Sequence, residues 1–82
     1  MATFSDDYNF LDRDELWFNI SNNIKKYRIL ANMTQEQLAA NIGKSYDFTR
    51  RLEFKKGEVR CSLETLYRIS VVLKTPIDNF FK

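Results

Sequence analysis

The chain has no histidine, one cysteine, one proline and two glycines, and each shortage excludes a class of protein. Without histidine, the commonest general base and the commonest metal ligand are both missing, and a hydrolytic triad of the usual composition cannot be assembled. Cys61 has no partner for an internal disulfide and no companions for a zinc site. It reads as a small half-buried residue, and no cofactor or metal is expected. There is no glycine-rich phosphate loop, and Glu36, Glu53, Glu58 and Glu64 read as residues of helix starts or exposed faces, so no enzymatic activity is expected. No apolar run approaches the roughly 20 residues that span a bilayer, and the first residues are acidic where a signal peptide would be basic. The expected location is the cytoplasm.

Few helix breakers and 44% apolar residues, seven of them Phe and four Tyr in a chain of 82, favour a compact all-α domain over disorder. A chain of this size sits near the point where burial only narrowly exceeds entropy, so a second copy would help. The net charge of +2 hides an asymmetry. Residues 1–16 set Arg13 against Asp6, Asp7, Asp12, Asp14 and Glu15, whereas the remainder carries twelve Lys and Arg against six Asp and Glu. A basic body with an acidic leader suits a polyanion partner, although an ordinary solvated surface explains the charge equally well.

The clearest local signals lie between Thr34 and Glu53. Thr34 is an N-cap, Gln37 completes a capping box, and Met33 with Leu38 form a hydrophobic staple. Leu38, Ala39 and Ile42 share one face, and Ala39 is small enough for another helix to cross closely. Gly43 supplies the left-handed C-cap. Ser45 then caps a second short helix, with Phe48, Thr49 and Leu52 inward and Tyr46, Asp47, Arg50 and Arg51 outward.

Before this stretch, residues 1–11 show no periodicity and read as a partly mobile N-terminal arm carrying Phe4, Tyr8 and Phe10. Asp12, with Glu15 three residues on and a Leu11–Leu16 staple, starts a helix. Its core stripe is Trp17, Ile20, Ile24, Tyr27 and Ala31, with Ser21, Asn22, Lys25 and Lys26 facing away, and Asn32 closes it. After it, Ser62 caps a fourth helix whose apolar stripe is Leu63, Leu66, Ile69, Ser70 and Leu73, widened by Tyr67, Val71 and Val72. Pro76 opens a last helix from its first position, with Ile77, Phe80 and Phe81 following.

The pattern Thr34-Gln35-x-x-Leu38-Ala39, Gly43-x-Ser45 and Leu52-Glu53 resembles the helix-turn-helix of the Cro/phage-repressor (xenobiotic-response-element) type. The likeness to these bacterial and phage regulators runs from about Ile20 to Phe81. It implies a lambda-repressor-like five-helix bundle over residues 12–82, with the helix-turn-helix at 34–53. It also implies a transcriptional regulator, a repressor or controller, bound as a homodimer to an inverted-repeat operator in double-stranded DNA. In that geometry the first helix of the motif crosses the backbone while the second enters the major groove.

Base contacts are then expected from Tyr46, Asp47 and Arg51, with Arg50 at the edge of the face. Asp47 accepts from cytosine or orients Arg51. Phosphate contacts are expected from Gln35, Lys44 and Ser45. Arg28 lies near the DNA backbone or pairs with an acid inside the fold. Lys55, Lys56 and Arg60 complete the phosphate set, although the connection after Glu53 is longer than usual by about two residues. Ile77, Phe80 and Phe81 are dimer candidates, with closure of the core by Ile77 and Phe80 the alternative. A different function also fits: an antitoxin or adaptor whose aromatic arm or Phe80-Phe81 end binds a protein partner, a toxin or polymerase.

Overall fold

The computed structural model describes residue 8, residues 10–54 and residues 59–82. Among the described residues, four α-helices and a closing 3₁₀ turn follow one another: α1 (Arg13–Leu30), α2 (Gln35–Ile42), α3 (Tyr46–Phe54), α4 (Leu63–Val72) and the turn Ile77–Phe81. No strand occurs among the described residues, and none of the helices is long and apolar enough to cross a membrane.

The caps explain where the helices begin and end. Thr34 accepts from the backbone N–H of Gln37 while the Gln37 side chain accepts from the N–H of Thr34, the reciprocal pair expected of a capping box. Ser62 accepts from the N–H of Thr65 at the start of α4. Asp12 caps α1 through Asp14 N–H rather than that of Glu15. Asn32, in the left-handed region at φ 58°, turns the chain out of α1.

Gly43 ends α2 at φ 73°, with the next N–H, that of Lys44, donating to Ala39 O at 2.9 Å. A Cβ at this position would meet Arg68 Nη1 only at 3.6 Å, an ordinary contact, so the constraint is the backbone angle. Gly43→Ala is therefore expected to cost about 1 kcal/mol, the left-handed penalty less the gain from a stiffer unfolded chain. Thermal unfolding should show a Tm fall of about 4–8 °C; an unchanged Tm would mean that the turn can relax.

Ile20 and Ile24 of α1, Leu38 and Ile42 of α2, Leu52 of α3, Leu66 and Ile69 of α4, Leu73 and Phe80 form one buried cluster. Each such side chain contributes roughly 1.5–3 kcal/mol by leaving water. The fully buried Phe80 ring lies edge-on to Tyr27, centroids 5.6 Å apart, and Asn23 Nδ2 donates to Phe80 O at 3.0 Å. Half-buried Cys61 beside this core has its thiol pushed up to about 11, chiefly by loss of water, with Lys44 pulling weakly the other way.

Several expectations need correction. The fifth helix is a 3₁₀ turn, with Pro76 preceding it rather than standing inside it; its N–H of Asn79 donates three residues back, to Pro76 O. Ser21 does not face away. It is buried, and its hydroxyl reaches Leu52 O at 2.8 Å and Glu53 O at 3.0 Å. Glu53 is likewise buried rather than exposed. Ala31, at the C-cap of α1, is exposed. Leu63, in the first turn of α4, points to solvent with Tyr67 and Val71, while Thr65 takes an inward place.

Candidate nucleic-acid interface

Helix α3 owes its placement to what lies behind it. Thr49 and Leu52 are fully buried and Phe48 packs on the core, which leaves one face of a nine-residue helix free. Ser45 Oγ accepts from the N–H of Phe48 at 3.1 Å, so the helix N-terminus is capped where the chain leaves the turn. Tyr46, Asp47, Arg50 and Arg51 all emerge on the exposed side. Asp47 Oδ1 accepts from Arg50 Nη2 at 2.6 Å, and Oδ2 from Arg51 Nη1 at 3.5 Å. The Arg50 hydrogen bond holds the Asp47 carboxyl below its ordinary range, outweighing the opposing effect of lost water, with Arg51 adding to the same direction.

The inner end of α3 is fixed by a polar network. Glu53 receives Arg28 Nε at 2.7 Å and Arg28 Nη2 at 3.0 Å, a two-pronged ion pair between side chains that are almost wholly enclosed. Gln35 Nε2 adds a third donor at 3.0 Å, and Arg28 Nη1 donates to Met33 O at 2.7 Å. One carboxylate thus joins the end of α1, the start of α2 and the end of α3. No buried side-chain nitrogen or oxygen is left without a partner among the described residues. Beside the network, an open groove of about 590 Å³ runs past Asn32, Gln35, Glu36 and Tyr46, where the first turn of α2 meets the start of α3.

This arrangement, a short braced helix presenting polar side chains after a tight turn, coincides with a known family. Residues 24–80 match the family model described as helix-turn-helix. The chain belongs to the helix-turn-helix family of the Cro/phage-repressor type. An uncharacterised HTH-type transcriptional regulator of Archaeoglobus fulgidus is 38% identical over 58 residues, which cover 71% of this chain and 79% of the archaeal one. The crystal structure of a hypothetical transcription factor, NHTF, from Neisseria superposes with a TM-score of 0.73 over 89% of this chain and 80% of that one. At 18% identity, that likeness concerns the fold alone. The family is one of DNA-binding transcriptional regulators.

In this helix-turn-helix protein the expected DNA-contacting residues divide into four groups. The structure brings Tyr46, Asp47, Arg50 and Arg51 together, with exposed Lys44 and Ser45 just before them and Lys44 Nζ 5.3 Å from the Phe48 ring centre. Gln35 and Arg28 it turns inward. For Arg28 the internal acidic partner is the alternative realised, since three of its nitrogens are engaged within the fold, and the Gln35 amide is directed to Glu53 rather than outward. Arg60 lies against α1, donating to Asp14 at 2.9 Å and standing 5.8 Å from the Trp17 ring centre. Lys55 and Lys56 lie outside the described residues, as do Phe4 and most of the arm.

Of the dimer candidates, Phe80 is fully buried in the core of the single chain, the alternative that the sequence left open for it. Ile77 packs on that core and Phe81 stays partly exposed. Sequence reasoning missed the organising role of Glu53, although the residue belongs to the Leu52-Glu53 pair that carried the resemblance.

Proposed function

We propose that this protein is a sequence-specific transcriptional regulator acting in the cytoplasm, a repressor or controller that binds an inverted-repeat operator as a homodimer. The supporting observation is the division of α3, one face locked by Thr49, Leu52 and the Glu53 network, the other presenting Tyr46, Asp47, Arg50 and Arg51. A helix so braced fits the major groove, where the base edges distinguish all four pairs. Lys44, Ser45 and the backbone N–H groups in the first turn of α2 suit phosphate, which fixes register without reading sequence. In this reading Gln35 contributes through its backbone and through the network that aims α3.

The test is selection of bound duplexes from a random pool at two salt concentrations. Enrichment of an inverted repeat with half-sites about 10 bp apart, centre to centre, is the expected result. Binding without enrichment that falls steeply with salt would reduce the interaction to phosphate contacts. Among variants, Arg51→Ala should relax preference at one base pair by roughly 1–3 kcal/mol, whereas Lys44→Ala should weaken all duplexes alike. An Arg51→Ala protein with weakened affinity and unchanged preference would refute the assignment of the base-facing side.

A second reading is favoured by α4. Leu63, Tyr67 and Val71, spaced by four residues, are 72%, 59% and 56% exposed in one outward row. Such a row fits an antitoxin or adaptor that engages another protein, and failure to bind DNA at either salt concentration would favour it.

A further inference from the structure

Of the two acids on α3, Glu53 is buried and Asp47 stands outward near the start of the helix. At about 100° per residue, Arg50 and Arg51 flank the direction of Asp47 by roughly 60° on one side and 40° on the other. The two ion pairs differ: that to Arg50 is short at 2.6 Å, and that to Arg51, at 3.5 Å, is at the limit of a hydrogen bond. All three side chains are about half exposed, so the pairs add little to stability. Their effect is on where positive charge is available.

Two neighbouring arginines without an acid would grip any phosphate backbone, a contact that carries no sequence information. A carboxylate between them repels phosphate, occupies Arg50, and leaves Arg51 as the arginine most easily withdrawn to a guanine edge. The geometry points to Asp47 as a specificity-determining positioning residue, which holds Arg50, yields Arg51 to the bases and weakens binding to DNA that offers phosphates alone. This rests on the reading of α3 as the major-groove helix. Direct acceptance from cytosine is the competing role.

The test compares the full-length wild type, Asp47→Ala and Asp47→Glu by fluorescence anisotropy, on the selected duplex and on a random-sequence duplex of equal length, across a range of salt. Circular dichroism confirms that each variant is folded. Asp47→Ala should bind the random duplex about tenfold more tightly, as expected for a charged hydrogen bond gained. Its plot of log affinity against log salt should steepen by about 0.9 for each arginine moved to phosphate, and the ratio between the two duplexes should fall. Asp47→Glu still reaches residues three and four positions on and should stay near wild type. Unchanged affinity and slope on the random duplex, with loss confined to the selected one, would make Asp47 a direct base contact and overturn the proposal. So would an Asp47→Glu protein indistinguishable from Asp47→Ala. Equal binding of both duplexes by the wild type would instead overturn the operator reading itself, and the proposal with it.

Discussion

Replacing Glu53 with alanine is expected to remove about 3–5 kcal/mol from the free energy of unfolding in urea, because it leaves the enclosed Arg28 guanidinium without its counter-charge. The Glu53 carboxylate takes three donors, two from Arg28 and one from Gln35. A domain of this length has in total only about 4–12 kcal/mol of stability, so the variant should be largely unfolded at moderate urea. Arg28→Ala in the same background should cost much less than it does alone, since the charge that needed compensation is gone. DNA affinity should fall further than the loss of folded protein explains, because the brace and the reader would no longer be tied at their shared corner. A destabilisation below about 1 kcal/mol would mean that water reaches the pair and that the network is not what holds α3 in place.

The second large effect is expected at Phe80. The side chain is fully buried, touches Tyr27 edge-on and closes the cluster formed by α1 and α4. Phe80→Ala deletes a ring from a packed interior, a change that costs about 3–5 kcal/mol. Phe81, its partly exposed neighbour, should cost less than about 1 kcal/mol when truncated. The comparison separates two roles for this pair. If the loss in Phe80→Ala is the same at low and high protein concentration, the residue is a core element. A loss that disappears as protein concentration rises would instead place it between subunits. Phe81→Ala should show the opposite behaviour if a second copy covers that surface.

The helix starts were legible in the sequence because caps are local. Thr34 with Gln37, Gly43, Ser45 and Ser62 bond within four residues of themselves, and a short window contains everything needed to recognise them. Long-range polar pairing was not legible. Nothing in the spacing of Ser21 says that its hydroxyl meets carbonyls 31 and 32 residues further on, and a serine among Asn and Lys reads as solvent-facing. Glu53 misled for the same reason, since an acid near a helix end is exposed unless a distant arginine arrives. Leu63 shows the limit of periodicity, because the first turn of a helix can extend beyond the neighbours it packs on. The closing turn reads as a helix because Pro76 suits a first helical position, and that signal does not distinguish an α-helix from a 3₁₀ turn. On the candidate interface, the outward face of α3 followed from its inward one. Gln35 and Arg28 did not follow, because a polar side chain directed inward and one directed to phosphate have the same sequence signature.

The hydroxyl of Ser21 has a consequence for how such a protein can vary. By meeting the carbonyls of Leu52 and Glu53, it fastens the exit of α3 to α1 before the chain departs for α4. A fastener at that point uncouples aim from tether: residues added to or taken from the stretch after Phe54 are expected to leave the outward face of α3 where it is. A difference in the length of that segment is then expected to need no matching change in the face that precedes it.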